Sequence, residues 1–346
     1  MSIVCEPLTD AMTSAWDAYV AGHPQASFFH QAAWRRVLER AFGHATHFIV
    51  ARRGPEIVGV LPLAHVKSVL FGQSLISTAF CVYGGPLVSE PAALEALATA
   101  ADAVMAKTGV AVMEWRALDD LGQMPDGWQV KSGLYVTFRR AISADDDANL
   151  KAIPRKQRAM VRKAIDRGLT ASVNQDVVGL HRIYAESVRN LGTPVFARRY
   201  FEILAETFSS CMDVLTVRDA GVPVAAVMNF YWRDEVIPYY GGGTAAARAC
   251  HANDFMYWEV MRHAASRGCR MFDFGRSKIG TGAFSFKKNW GFEPRPLDYH
   301  FRVAPGAKIP DHNPLNPKYR LFIAAWKRLP LPVANLIGPH IVRGVG

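Results

Sequence analysis

The segment GTGAFSFKKNWGFEP, Gly280 to Pro294, sets Lys287 and Lys288 among Phe284, Phe286, Trp290 and Phe292, behind a run of small residues. A solvated loop does not need so many aromatics, and a core strand excludes the charges. An ammonium held in apolar surroundings exerts a much stronger field than one in water. The pattern therefore points to something that has to be held and neutralised at this segment, with a lysine set among aromatics to do it. The competing reading of Lys287 is a structural lysine lying along an aromatic ring.

A second cationic stretch is DDDANLKAIPRKQRAMVRKAIDRGL, Asp145 to Leu169. Asp145 to Asp147 suit a helix start, Pro154 the first turn of a new helix, and Gly168 its end. Arg155, Arg158 and Arg162 fall at i, i+3 and i+7, one stripe that Lys163 broadens, while Met160, Val161, Ala164 and Ile165 supply the inward side. Asp166 is the one acid inside this helix. Arginine forks match phosphate oxygens, so Arg155, Arg158, Arg162 and Lys163 are candidate phosphate ligands. A solvated basic face is the plainer alternative.

Other candidates are more isolated. Asp273, in FDFGRS, ends an apolar strand, where α/β folds commonly place sites; it either meets substrate or pairs with Arg276 to fix the loop. Tyr239 and Tyr240 precede three glycines that permit close backbone approach, and are candidate groove-lining residues. Trp34 is a candidate to flank an acceptor, although a tryptophan on an amphipathic helix is more often core. The eleven histidines form no ligand-spaced cluster, so no metal site is expected. No Gly-x-Ser-x-Gly elbow is present, which removes a serine hydrolase of that type.

The elements that must position these residues occur twice. Residues 48–64 and 214–230 each read as strand, tight turn and strand, leading to YGGP and YYGGG respectively. Each hairpin is followed by an apolar-periodic helix (92–107 and 253–267), a glycine (Gly109 or Gly268) and a buried-looking strand. Short hairpin connections imply antiparallel pairing, and the strand after the helix can return parallel. The expectation is an α/β (α+β) chain of two similar units, each a twisted mixed sheet flanked by helices. A length of 346 residues, half of them hydrophobic, supplies core for two domains.

The net charge of +10 implies attraction to polyanions: nucleic acid, phosphorylated small molecules or anionic lipid. Five widely spaced cysteines without a C-x-x-C pair suggest neither a zinc site nor a disulfide framework, which fits a reducing cytoplasm. No secretion signal and no apolar run of about 18 residues is seen. The tail KYRLFIAAWKRLPLPVANLIGPHIVRGVG follows a Pro-rich connector and mixes apolar with basic residues. It reads either as a helix docked on the second domain or as a surface resting on the inner membrane, and Pro330 and Pro332 forbid one continuous helix.

In order, RKQRAMVRKAIDRGL, YYGGG, HANDFMYWEVMRHAASRGC, FDFGRS and GTGAFSFKKNWGFEP resemble the FemAB-like branch of the GNAT acyltransferase superfamily. SFFHQAAWRRVLERAFGH near the N-terminus is similar to that family's opening segment. Within the branch, the chain is similar to FemAB proteins associated with PEP-CTERM/exosortase gene clusters. The resemblance implies tandem GNAT-like domains: 1–145, then 146–303 as the acyltransferase domain, with 304–346 as connector and tail. It implies N-acyl transfer from an acyl-CoA or an aminoacyl-tRNA, used as co-substrate with no tightly bound cofactor. The implied acceptor is an amine of a phosphorylated or lipid-linked cell-envelope glycan or peptidoglycan-like precursor. It also implies that the family's Phe-Lys pair falls on Phe286 and Lys287, with Lys287 as the catalytic residue that stabilises charge developing at the acyl centre and leaving oxygen, and Phe286 shaping the acyl pocket. The Arg-Gly-Pro-x-x-Asp stretch of the peptidoglycan-directed members reads GGPLVS here, with Gly84 and Ser89 at the charged positions. A cytoplasmic enzyme is the resulting expectation; a non-catalytic binder of polyanions or nucleic acid on the same fold is the alternative.

Overall fold

A computed structural model describes residues 2–68, 71–309 and 320–345. The chain divides into two compact units. The first contains β1 (Ile3–Pro7), α1 (Thr13–Gly22), α2 (Ala33–Phe42), β2 (Ala45–Arg53), β3 (Glu56–Ser68), β4 (Gly72–Ser77), β5 (Leu87–Val88), α3 (Pro91–Thr108) and β6 (Val112–Arg116). Strand β7 (Trp128–Ala141) carries the chain into the second unit, which begins at Tyr135. There follow α4 (Asp146–Ala152), α5 (Arg155–Asp166), β8 (Thr170–Asn174), α6 (Val177–Leu191), α7 (Arg198–Phe208), β9 (Met212–Asp219), β10 (Val222–Trp232) and β11 (Glu235–Gly243). After these come α8 (Ala245–Ala249), α9 (Ala252–Ser266), β12 (Met271–Lys278), α10 (Gly282–Asn289), β13 (Pro294–Val303), α11 (Arg320–Trp326) and α12 (Leu331–Val342).

Both units use one sheet plan. In the first, β1, β2, β3 and β4 pair antiparallel in order, β6 joins β4 in parallel, and β13 closes the edge antiparallel to β6. In the second, β8, β9, β10 and β11 pair antiparallel, β12 joins β11 in parallel, and β7 closes the edge antiparallel to β12. The mixed α/β fold in two similar units is the one the sequence predicts. The division differs from a cut near residue 145. Each sixth strand comes from the chain that follows the other unit's fifth strand, so the first unit runs to Leu134 and takes back residues from Leu297. The tail is likewise divided, with residues to Pro339 in the second unit and those from His340 in the first.

Local chemistry sets the boundaries. Pro91 opens α3, and Gly109 ends it in the left-handed region at φ +68°. Asp176 caps α6 by accepting from the Gly179 amide at 2.8 Å. Pro154 stands one residue before α5. The cores follow the expected apolar faces: Leu61, Leu75, Leu97, Met113 and Trp115 in the first unit, and Phe138, Val227, Phe255, Trp258, Phe272 and Trp290 in the second. Residues 310–319, most of the Pro-rich connector, lie outside the described residues.

Candidate active site

Strands β11 and β12 pair only at Glu235–Met271 and Val236–Phe272. Beyond that point β11 stays with β10, while β12 stays with β7 through Arg276–Thr137, Ser277–Val136 and Lys278–Tyr135. A wedge therefore opens between the C-terminal halves of two parallel neighbours. A bulge between Asp273 and Arg276 lies where the two strands part. There Asp273 Oδ1 accepts from the Gly275 amide at 2.6 Å, and Gly275 takes φ +67°.

Lys287 holds this bulge. Thr281 caps α10 by accepting from the Phe284 amide at 3.3 Å, and Phe284 packs edge-on to Phe138. The helix then brings Lys287 Nζ to the carbonyls of Phe274, Gly275 and Arg276 at 2.7, 3.0 and 3.1 Å. All three ammonium hydrogens are spent on β12. Burial pushes its pKa from the ordinary lysine value down to about 7; Asp273 opposes the shift and Arg276 adds to it. The segment is thus a helix rather than a loop or strand, and its lysine clamps backbone in the geometry described. Phe286 is half-buried with its ring 5.6 Å from Tyr257 and 6.1 Å from Trp290. Lys288 is exposed.

Tyr257 floors the wedge on the α9 side. Its ring packs edge-on to Phe274 of β12 at 4.8 Å, and a Cβ on Gly241 of β11 would lie 3.3 Å from its hydroxyl oxygen. No described residue hydrogen-bonds to that hydroxyl. Burial, with the Asp254 carboxylate nearby, pushes its pKa up to about 12, so it remains a proton donor at neutral pH. Two polar atoms of the flanking elements are buried with no partner among the described residues: Ser277 Oγ on β12, and Asn253 Oδ1 on α9. Asn253 stands beside Gly243, where a Cβ would come within 2.7 Å of Oδ1. Buried polar atoms left open in this way are scarce in folded proteins and call for a ligand or water. None of these three residues was singled out from sequence, because a tyrosine on an apolar helix face reads as core.

The glycines of YYGGG serve close helix packing. A Cβ on Gly242 would meet Ser187 Cβ of α6 at 2.5 Å, and one on Gly243 would meet Ala247 Cβ of α8 at the same distance. Tyr240 is buried, with its hydroxyl 2.8 Å from that of Tyr200. Tyr239 is half-buried against Phe230 and Tyr240. The first amide of α8, a natural hydrogen-bond donor to anions, instead donates to Glu186 Oε1 at 2.8 Å.

Asp273 is almost wholly buried and lies 3.4 Å from Arg139 Nε, while the Arg276 guanidinium stands over the Tyr135 ring at 4.5 Å. Arg139 also pairs with Glu235 at the closed end of the wedge, where burial pushes the carboxyl up to about 7 against the pull of Arg139. On α5, Arg155, Arg162 and Lys163 are exposed and have no ion-pair partner among the described residues. Arg158 is half-buried and donates to the Lys151 carbonyl at 3.1 Å. Gln157 of α5 and the Trp290 indole both donate to Asp254 Oδ1, at 3.3 and 3.0 Å, which ties the basic helix to α9 and the end of α10.

The equivalent opening in the first unit is filled by its own chain. Strands β4 and β6 also pair at two positions only, Leu75–Met113 and Ile76–Glu114. The segment after β4 then turns inward, with Thr78, Ala79, Cys81 and Tyr83 buried. Arg116 pins it, donating to the Cys81 carbonyl at 2.8 Å, while the Gly85 amide donates to the Arg116 carbonyl at 2.8 Å. Trp34 belongs to this unit's core: it is fully buried, and its indole donates to the Phe28 carbonyl at 3.1 Å. It offers no surface to an acceptor, which corrects that candidate. Among the described residues no group of three or more metal-ligating side chains comes together.

Residues 155–288 match the model of the acetyltransferase (GNAT) domain. No curated protein matches the chain in sequence. Among solved structures, FemX superposes with a TM-score of 0.68 at 17% identity, covering 92% of this chain and 100% of FemX. A tandem GNAT protein from the clavulanic acid biosynthesis pathway gives 0.53 at 14% identity, with 89% and 100% covered. The C-terminal domain of a putative lysylphosphatidylglycerol synthetase from Agrobacterium fabrum gives 0.52 at 16% identity, with 85% and 92% covered. Residues 155–288 are thus similar to a GNAT acetyltransferase domain, within a fold that the chain shares with FemX and a tandem GNAT protein.

Proposed function

We propose that the second unit transfers an acyl or aminoacyl group to an amine, with the donor's carbonyl seated in the wedge between β11 and β12. The observation that carries this reading is the wedge itself, with Tyr257, Ser277 and Asn253 presenting polar atoms that no described residue satisfies. The acceptor amine attacks the carbonyl, a C–N bond forms, and the C–S bond of a thioester or the C–O bond of an aminoacyl ester breaks. The amine's proton ends on the departing thiolate or alkoxide. The Tyr257 hydroxyl donates to the oxygen that gains negative charge, and burial strengthens that bond. Lys287 acts as a positioning residue that keeps β12 bent away from β11. Arg155, Arg162 and Lys163 hold a phosphate of donor or acceptor. With the α8 amide already engaged by Glu186, this basic face is the better-suited anchor for a polyanionic donor. The acceptor we favour is an amine on a cell-envelope glycan or peptidoglycan-like precursor; a setting in exopolysaccharide or PEP-CTERM systems rests on the sequence resemblance.

The test is acyl transfer followed by mass spectrometry, with acyl-CoA and aminoacyl-tRNA offered separately to the full chain and amine acceptors. Product from one donor, lost in Tyr257→Phe with donor binding kept, supports the reading and identifies the donor. A second reading, a polyanion binder without catalysis, draws on the full engagement of the Lys287 ammonium. It requires that neither donor react and that Arg155 and Arg162 changes abolish binding of tRNA.

A further inference from the structure

Helix α12 is packed the wrong way round for a helix in water. Its inner side is Ala334 and Gly338, both buried; a Cβ on Gly338 would come within 2.9 Å of the Val195 amide nitrogen. Its large side chains Val333, Leu336 and Ile337, at i, i+3 and i+4, point outward, and Leu336 is 72% exposed. Helix α11 has large side chains on its inner side but also leaves others outward. Trp326 is buried, Ile323 sits 2.5 Å from where a Cβ on Gly192 would be, and Leu321 and Phe322 face out, Leu321 at 84% exposure. Of the fourteen exposed large apolar side chains among the described residues, six fall within residues 320–345. Such a concentration on one segment marks an interaction surface.

The charge on the same segment decides what covers it. Residues 320–345 contain no Asp or Glu. Arg320, Lys327 and Arg328 are exposed and have no ion-pair partner among the described residues. A second copy of this chain seated there would bring more of the same charge against it. An anionic lipid surface satisfies both features, since it takes the apolar side chains into its headgroup boundary and attracts the cations. Among the described residues no helix is long and apolar enough to cross a membrane, so the contact would lie in the plane of the interface.

We propose that α11 and α12 form an interfacial docking surface for anionic lipid, through Leu321, Phe322, Val333, Leu336 and Ile337 flanked by Arg320, Lys327 and Arg328. The surface stands on its own observations and does not depend on the transfer reaction.

The experiment is flotation of the full-length protein with vesicles of phosphatidylcholine containing about a third phosphatidylglycerol, against pure phosphatidylcholine. Three juxtaposed cations predict roughly hundredfold weaker partition onto the neutral vesicles. The double change Leu336→Glu and Ile337→Glu removes two inserted side chains and is expected to lower partition at least about tenfold. Both positions are exposed, so the melting temperature should stay put, which separates lost docking from lost fold. No flotation at low salt overturns the proposal, and so does flotation unchanged in the double variant. Sedimentation velocity supplies the remaining outcome. Self-association abolished by the same double change, without vesicle binding, would assign the surface to a second copy and refute lipid docking.

Discussion

The sharpest test of the site is Lys287→Met, which keeps most of the stem and removes the ammonium. In the native protein the penalty of burying the charge is only partly offset by three hydrogen bonds to the carbonyls of Phe274, Gly275 and Arg276, so its pKa falls to about 7. The variant removes both, taking the lysine donor away from three carbonyls at a strand bulge. Each lost donor costs roughly 1–3 kcal/mol, and partial access of water favours the low end, so the sum is about 3 kcal/mol. A unit of this size loses roughly 2–4 °C of melting temperature per kcal/mol, giving a fall of about 6–12 °C. Lys288→Met, at an exposed neighbour, should stay within about 0.5 kcal/mol of the wild type. Thermal unfolding by circular dichroism reads both, and donor affinity should fall together with stability. A Lys287→Met protein that melts like the wild type yet has lost turnover would refute the clamp and make this lysine an electrophile acting on substrate.

Tyr257→Phe should lower turnover about a hundredfold while donor affinity changes little, measured as a kcat-against-KM split. Two half-buried groups set opposite pH slopes. Glu235 releases its proton near pH 7 when folded but near 4.5 when unfolded, so the folded state binds more protons in that window and stability falls as pH rises through it. Lys287 holds its proton to 10.5 when unfolded but only to about 7 when folded, so stability rises from pH 7 upward. Urea midpoints at several pH values should therefore pass through a minimum near neutrality, and Glu235→Gln should flatten the acid side. Replacing Arg155, Arg162 and Lys163 together by Ala should reduce the salt dependence of tRNA binding by about two to three units of slope without changing the melting temperature. Trp34→Ala should destabilise the first unit by about 3–5 kcal/mol, read by denaturant titration.

Much of the fold is local and was readable. The two hairpins, the helices ended by Gly109 and Gly268, the basic helix behind Pro154 and the repeated unit all follow from periodicity and turn chemistry. Helix α10 was also within reach: Phe286, Lys287 and Trp290 fall at i, i+1 and i+4, a helical spacing that the lysine pair masked. Other features depend on contacts far apart in sequence. That Lys287 would spend its hydrogens on β12 is decided by a bulge thirteen residues away, which its own neighbours do not encode. Tyr257 was hidden because a wedge-facing tyrosine and a core tyrosine have the same helical phase. Trp34 shows the converse, since its residue type suited a binding role while its position was wholly interior.

The exchanged sixth strands have a consequence for synthesis. Strand β6 ends at Arg116, yet its partner residue Tyr299 is made 183 residues later. At ordinary elongation rates that interval is roughly 10–40 s, during which β6 has an open hydrogen-bonding edge. The first half of the chain, although completed first, cannot finish its sheet before the second half has been translated. Translation speed through residues 117–293, and any chaperone able to shield a waiting edge, should thus influence yield.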